Sequence, residues 1–280
     1  MKKRSAAFSR RLLAGLLSLV MLCVAGCTPS PGETLTVGAL TGPTAMSLVK
    51  LMKDSEEGKT QTAYSFAPLA TAAENLTPAF LKGELTFMAC PCNLAAILYQ
   101  KTQDVTVLAV NTLGVLTLVE KGENIVSLAD LSGKTLLIPA SLKGAAPEYA
   151  FDYLCSLDGL DPEKDFTRRY LTEPAEVVAA LANTEKGIAL LPEPYATVAL
   201  AGQEDLHLAI DLSEEWDKKD IPSRFITGVL LTRTSFLQEH PDAVASFMED
   251  YRKSYDFTQN RPTDTAGLLT DYGLTPNQAL

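Results

Sequence analysis

The sequence is poor in histidine and in positive charge. Only His207 and His240 stand among 280 residues, and neither has further ligands at useful spacing for a zinc-type site. A histidine-dependent active site is equally poorly supplied. Lys and Arg number 24 against 34 Asp and Glu, a net charge of −10, which argues against nucleic acid, since binding phosphates requires a basic face. The chain has no Gly-x-Ser-x-Gly elbow and no phosphate loop ending in Gly-Lys-Ser/Thr. What is present is a 46% hydrophobic composition, too apolar for a disordered chain, with 17 Gly and 16 Pro scattered rather than repeated. Such a length suits one large domain or two medium lobes.

The N-terminus is an address rather than part of the fold. Lys2, Lys3, Arg4, Arg10 and Arg11 precede an apolar run from Leu12 to Ala25. That run falls short of the roughly 20 residues of a spanning helix but suits a signal-peptide core. It ends in Leu22-Cys23-Val24-Ala25-Gly26-Cys27, followed by the polar Thr28-Pro29-Ser30-Pro31-Gly32. Small residues before a Cys resemble a bacterial lipoprotein signal, in which the Gly26–Cys27 bond is cleaved and Cys27 carries lipid; an ordinary secretory signal or an uncleaved anchor is the alternative. Loss of residues 1–26 leaves 254 residues with a net charge of −15.

Short apolar runs then recur without strict alternation: Leu35–Leu40, Leu85–Ala89, Val105–Val110, Leu136–Ile138 and Ile188–Leu191. Strands covered on both faces read this way. Helical stretches lie between them at Ala45–Lys53, Ala72–Leu81, Leu94–Lys101, Tyr149–Leu157, Ala175–Ala182 and Ala196–Ala201. The alternation predicts an α/β fold, doubly wound, with a parallel sheet. An internal echo supports two related lobes. Leu85–Cys92 and Ile188–Tyr195 each run from a short strand through a Pro junction into a helix, and each follows an acid-started helix, at Glu74 and Glu176.

Four junctions carry Pro at a helix start: Thr41-Gly42-Pro43-Thr44, Cys90-Pro91-Cys92-Asn93, Ala145-Ala146-Pro147-Glu148 and Glu193-Pro194-Tyr195. Pro suits the first helical turn, where its missing N–H has no partner to lose. At the carboxyl ends of parallel strands such junctions are where ligands bind, and the helix starts favour anionic or polar atoms. Capping explains any one of them; four from both halves point to a cleft. The candidate ligand residues are Thr41, Gly42, Pro43, Thr44, Cys92, Asn93 and Asn111 on one side and Ser141, Ala145, Glu193 and Tyr195 on the other. Thr41, Thr44 and Ser141 offer hydroxyls, Asn93 and Asn111 amides, and Lys143 the one cation of the junction segments. Glu193 is either an anchor for a ligand amine or N–H, or a cap for the following helix. Cys90 and Cys92 are too close for an unstrained disulfide and read, with Cys155, as small buried hydrophobes. His207 reads as the start of a strand and His240 as preceding a helix, both at the surface.

The lipoprotein start, Leu35–Thr44, Lys82-Gly83-Glu84-Leu85, Ser127-Leu128-Ala129-Asp130-Leu131-Ser132-Gly133-Lys134-Thr135, Pro192–Tyr195 and His240-Pro241-Asp242-Ala243-Val244 together resemble a known family. It is that of the extracytoplasmic solute-binding proteins of ABC importers, in the group serving nitrate, sulfonates, taurine and thiamine-precursor pyrimidines. The resemblance implies a type 2 periplasmic-binding-protein fold, two lobes closing by hinge motion over a ligand. Residues 1–26 would be the signal, 27–32 a tether, 33–111 with 225–280 lobe one, and 112–224 lobe two. It further implies a non-enzymatic monomer without metal or cofactor, lipid-anchored outside the cytoplasmic membrane, handing a small polar nutrient to an ABC permease. A ligand sensor for a signalling partner, or an enzyme on the same fold, are the alternatives. Family members usually continue further than this chain, whose last residues read as a helix starting at Pro276, consistent with a fragment.

Overall fold

The computed structural model describes residues 34–70 and 73–274. The leader, Cys27 and the helix expected at Pro276 lie outside them. The first apolar run forms β1 (Leu35–Ala39), buried along nearly its whole length. The chain continues through α1 (Pro43–Met46), α2 (Val49–Glu56), β2 (Tyr64–Phe66), α3 (Thr77–Leu81), β3 (Phe87–Pro91), α4 (Cys92–Thr102) and β4 (Thr106–Leu113). After β4 it leaves this sheet for β5 (Leu116–Lys121), β6 (Thr135–Pro139), α5 (Ala146–Leu157), β7 (Thr167–Leu171), α6 (Pro174–Ala182), β8 (Gly187–Pro192), α7 (Tyr195–Gly202), β9 (His207–Asp211) and α8 (Leu212–Lys218). It returns as β10 (Ile226–Thr232), then α9 (Thr234–Glu239), α10 (Pro241–Asn260) and α11 (Pro262–Asp271).

Two five-stranded sheets result, ordered β2-β1-β3-β10-β4 and β7-β6-β8-β5-β9. In the first, β2, β1 and β3 are parallel and β10 lies antiparallel between β3 and β4. In the second, β7, β6 and β8 are parallel and β5 lies antiparallel between β8 and β9. The sheets are topological copies, each with one antiparallel strand in fourth place. The strands of the internal echo, β3 and β8, both hold the central position. The fold is therefore α/β with two doubly wound lobes.

Each sheet is covered on both faces, which is why its inner strands, such as β1, β3, β6 and β8, read as unbroken apolar runs. On the first, Val37, Phe87 and Leu230 pack with Leu51 of α2 and Phe247 of α10, while Met88 and Leu231 pack with Phe80 of α3 and Leu98 of α4. On the second, Leu118, Ile138 and Leu190 meet Phe151 of α5 and Leu212 of α8, while Val119, Leu137 and Ala189 meet Val177 of α6 and Ala199 of α7. His207 opens β9 and His240 stands just before α10, both exposed, as the sequence suggests.

Several elements depart from expectation. The helix read over Ala45–Lys53 divides at Ser47–Leu48, where the Ser254 hydroxyl of α10 donates to the Ser47 carbonyl (2.6 Å) and accepts from the Leu51 N–H (3.0 Å). The stretch Ala72–Leu81 holds a single 3₁₀ turn at Ala73–Asn75 before α3, because Pro78 has no N–H with which to continue a helix from above. Pro43 and Pro147 sit in first helical turns, but Pro91 ends β3 and Pro194 precedes α7, each as the residue capping its helix. The third junction is not direct either, since a 3₁₀ turn, Ala140–Leu142, separates β6 from α5. Phe225, expected in lobe one, packs in the core of the second sheet, and Thr112 and Leu113, expected in lobe two, remain in β4.

Candidate functional site

Strand direction brings the junctions to two edges. In the first sheet β1, β3 and β4 end where β10 begins, with Leu113 opposite Ile226 and Pro91 opposite Gly228. In the second, β6, β8 and β9 end where β5 begins, with Leu116 opposite Pro192 and Thr117 opposite Asp211. The chain passes between these edges twice, from Leu113 to Leu116 and from Asp211 to Ile226. The carboxyl edges of both sheets therefore flank the same pair of crossings. The crossings are tied down by the Thr227 hydroxyl donating to the Leu113 carbonyl (2.6 Å) and by the Glu193 N–H donating to the Val115 carbonyl (2.8 Å).

On the first edge the polar groups are engaged with the backbone, and in one sense. Thr41 Oγ1 donates to the Ala70 carbonyl (3.2 Å), Thr44 Oγ1 to the Leu40 carbonyl (3.0 Å) and Asn111 Nδ2 to the Thr44 carbonyl (3.0 Å). Asn111 Oδ1 accepts from Thr112 Oγ1 (3.0 Å), and the Cys92 thiol donates to the Ile226 carbonyl (3.3 Å). Gly42 holds φ 112°, a conformation that favours glycine, and so turns the chain from β1 into α1. Thr44, expected as a ligand hydroxyl, is buried against Gly228, where an added Cβ would lie 2.7 Å from Thr44 Cγ2 and 2.8 Å from Asn111 Oδ1. Asn93 Oδ1, at the start of α4, is shielded from solvent without a hydrogen-bond partner. Burial pushes the Cys90 thiol up to about 12 and raises that of Cys92, so neither is a ready nucleophile.

On the second edge Ser141 is exposed in its 3₁₀ turn and Ala145 precedes α5. Glu193 Oε2 accepts from Thr197 Oγ1 (2.7 Å) and Thr197 N (3.3 Å), so the carboxylate caps the first turn of α7. Tyr195 is half-buried, and desolvation raises its hydroxyl's pKa.

Behind Ser141–Ala145 lies a polar cluster that the sequence did not single out. Glu148, 4% exposed, accepts from the Gly144 N–H (2.6 Å) and the Tyr170 hydroxyl (2.5 Å). Arg168 pairs with Asp152 and with Glu163 (3.3 Å), and stands 3.9 Å from Glu148. Lys143 Nζ lies 4.9 Å from the centre of the Tyr170 ring. Tyr149, 62% exposed in the first turn of α5, presents an aromatic ring beside this loop. The acid following Pro147 was the available signal for Glu148; nothing in the pattern marks Tyr149. Among the described residues no group of three His, Cys, Asp or Glu is placed to hold a metal ion, and no helix is long and apolar enough to cross a membrane.

Two junction-bearing edges beside a double crossing match known proteins. The family model described as NMT1/THI5 like matches residues 99–265. The chain belongs to the NMT1/THI5-like family. Solved structures share the two-lobed fold. An ABC transporter protein of Parabacteroides distasonis is 19% identical, with 89% of this chain and 82% of that one covered at a TM-score of 0.70. The periplasmic aliphatic sulphonate binding protein of Escherichia coli is 16% identical, with 88% and 80% covered at 0.65. The zinc-bound ligand-binding component of an ABC-type import system of Staphylococcus aureus is 17% identical, with 86% and 79% covered at 0.63. No match was found among curated proteins. This NMT1/THI5-like chain thus has the type 2 periplasmic-binding-protein fold.

Proposed function

We propose that the protein is the substrate-binding component of an ABC importer, anchored outside the cytoplasmic membrane through lipid on Cys27. It captures a small polar nutrient between the two lobes, one built on β1–β4 with β10 and the other on β5–β9, and delivers it to the permease. One observation carries this reading: the carboxyl edges of both sheets flank two short crossings, the arrangement in which a hinge closes one edge on the other. The structural neighbours named for import and sulphonate binding support it.

The hydrogen-bond senses narrow the ligand. The Thr41 hydroxyl, the Asn111 amide and the Cys92 thiol all donate to main-chain carbonyls. What they offer a ligand is lone pairs, and the Glu193 carboxylate adds acceptors. An acceptor-rich cleft suits a ligand bearing an amine or ring N–H better than a sulfonate or nitrate, which needs donors.

Thermal-shift screening against alkanesulfonates, nitrate, pyrimidines and amino compounds tests this. The largest rise in melting temperature is expected from an amino- or N–H-bearing compound, recovered unchanged after incubation. A largest rise with a sulfonate or nitrate overturns the ligand class, and turnover of the stabilising compound overturns the binding role.

A further inference from the structure

The cluster behind Ser141–Ala145 is built around a carboxylate that the binding role leaves unexplained. Glu148 is 4% exposed, and burial of a carboxylate is costly unless it is paired and hydrogen-bonded. One of its oxygens accepts from the Gly144 N–H (2.6 Å) and the other from the Tyr170 hydroxyl (2.5 Å). Among the described residues it is the one side chain hydrogen-bonded to the main chain of residues 140–145. That bond falls where the loop turns, for Gly144 holds φ 69°, a left-handed conformation that favours glycine. Lys143, the preceding residue, sets its Nζ 4.9 Å from the centre of the same Tyr170 ring. Glu148 thus holds Gly144 directly and faces Lys143 through Tyr170.

One turn further along α5, Asp152 shares the same cation. Arg168 of β7 pairs with Asp152 and with Glu163 (3.3 Å), and stands 3.9 Å from Glu148. The other titratable groups around Asp152 are Tyr170 on β7, Cys155 on α5, and Asp158 at the end of α5, itself paired with Lys219 beyond α8. Two carboxylates one helical turn apart that share a single guanidinium repel each other when both are ionised. Desolvation raises the Asp152 carboxyl to about 6, opposed by Arg168 and reinforced by Glu148 and Glu163. The repulsion is reciprocal: ionised Asp152 acts back on the Glu148 carboxylate that holds the loop.

We propose that Glu148 is a positioning residue for the second edge, and that protonation of Asp152 tightens its hold on the Ser141–Ala145 loop. Above pH 6 both carboxylates are charged and draw on one Arg168; below it the guanidinium serves Glu148 against a neutral neighbour. The inference rests on the reading of the two carboxyl edges as the ligand site, and makes the order of the second edge depend on the acidity outside the cell.

Hydrogen exchange at the Lys143, Gly144 and Ala145 amides of the purified, ligand-free full chain tests this, with rates corrected for the intrinsic effect of pH. Native protection is expected to be about threefold higher at pH 5 than at pH 7.5, the size of a coupling of about half a pK unit. Asp152→Asn should show the higher protection at both pH values. Glu148→Gln keeps a carbonyl for the Gly144 N–H, so the loop should stay protected while its pH dependence disappears. Glu148→Ala should lower protection about tenfold at both pH values; if its melting curve shows it unfolded, the glutamine variant decides. Equal native protection at pH 5 and 7.5 overturns the proposal, as does native protection in a folded Glu148→Ala. A pH dependence that survives in Asp152→Asn or Glu148→Gln overturns it too, because it then follows the stability of the whole chain. No ligand enters the measurement, so a screen that finds none counts against the binding reading and leaves the exchange result unaffected.

Discussion

Gly114 and Phe225 stand so close that a Cβ built on Gly114 would lie 2.5 Å from Cδ1 of the Phe225 ring, and it would also meet Ser213 Oγ. The two residues belong to opposite crossings, Gly114 on the way out to the second sheet and Phe225 on the way back. Phe225 is held in turn by Trp216, whose ring stacks on it at 5.2 Å and whose Nε1–H donates to the Ser223 carbonyl (2.7 Å). The crossings are thus packed against each other through a position that tolerates no side chain.

Gly114→Ala is therefore expected to destabilise the chain by about 1–3 kcal/mol, the usual range for overpacking a filled site. A urea midpoint indistinguishable from that of the native protein would refute this. Emission from Trp216, the chain's single tryptophan, should shift in the same variant, because the Phe225 ring it stacks on must move.

Ser254 is 1% exposed and bridges the break between α1 and α2, donating to the Ser47 carbonyl and accepting from the Leu51 N–H. Ser254→Ala leaves both main-chain groups buried and unpaired, which costs about 1–3 kcal/mol for each group that stays so. Hydrogen exchange at the Leu51 amide should accelerate more than exchange in the second sheet. Uniform acceleration across both lobes would contradict the local role.

This break shows what a linear reading can and cannot reach. Strands such as Leu35–Ala39 and Gly187–Pro192 were legible because burial on both faces removes polar alternation and leaves an unbroken apolar run. β7, with Thr167-Arg168-Arg169-Tyr170, was not: it is an edge strand whose Arg168 pairs with Asp152 and Glu163, so it lacks that run. The divided helix at Ser47–Leu48 depends on Ser254, more than 200 positions away, and no local pattern encodes it. At the site, the Pro and Gly junctions announced where the carboxyl edges lie. The sense of each hydrogen bond did not show, because Thr41 or Asn111 donates or accepts according to which carbonyl the fold puts beside it.

The cluster behind Ser141–Ala145 gives a pH dependence. Desolvation raises the Asp152 carboxyl to about 6, opposed by Arg168 and reinforced by Glu148 and Glu163. The unfolded value is about 3.9, so between pH 4 and 6 the unfolded chain has released a proton that the folded chain still holds. The contribution of Asp152 to stability is then greatest below pH 4 and declines as pH rises through 6. Asp152→Asn removes this component. Denaturant melts at pH 4.5 and 7 should show native stability falling relative to the variant between the two. A native-to-variant difference that is constant, or that moves the other way, would exclude the shift.

Cys27→Ala tests the anchor. If Cys27 carries the lipid on its thiol and is exposed by cleavage after Gly26, removing the thiol blocks both, so the variant is expected either in the soluble fraction or as unprocessed precursor. A cleaved Cys27→Ala product retained on membranes would end the lipoprotein reading.

Glu193 decides between an anchor and a cap, and the geometry separates the two by experiment. Its Oε2 accepts from Thr197 Oγ1 and Thr197 N, while its own N–H is fixed to the Val115 carbonyl of the crossing. Gln at this position keeps a side-chain carbonyl that can accept the same two bonds, so Glu193→Gln should lower apo stability by less than about 1 kcal/mol. It does remove the charge. If the carboxylate also receives a ligand amine, the charge-assisted bond is lost, and affinity for the compound found by screening should fall roughly tenfold or more. Thr197→Val does the converse, leaving the charge but deleting a cap partner, so it should lower the melting temperature while affinity stays within about twofold. Calorimetric titration of both variants beside their melting curves reads out each effect separately. Native affinity in Glu193→Gln would confine the carboxylate to capping α7 and take it out of the ligand site.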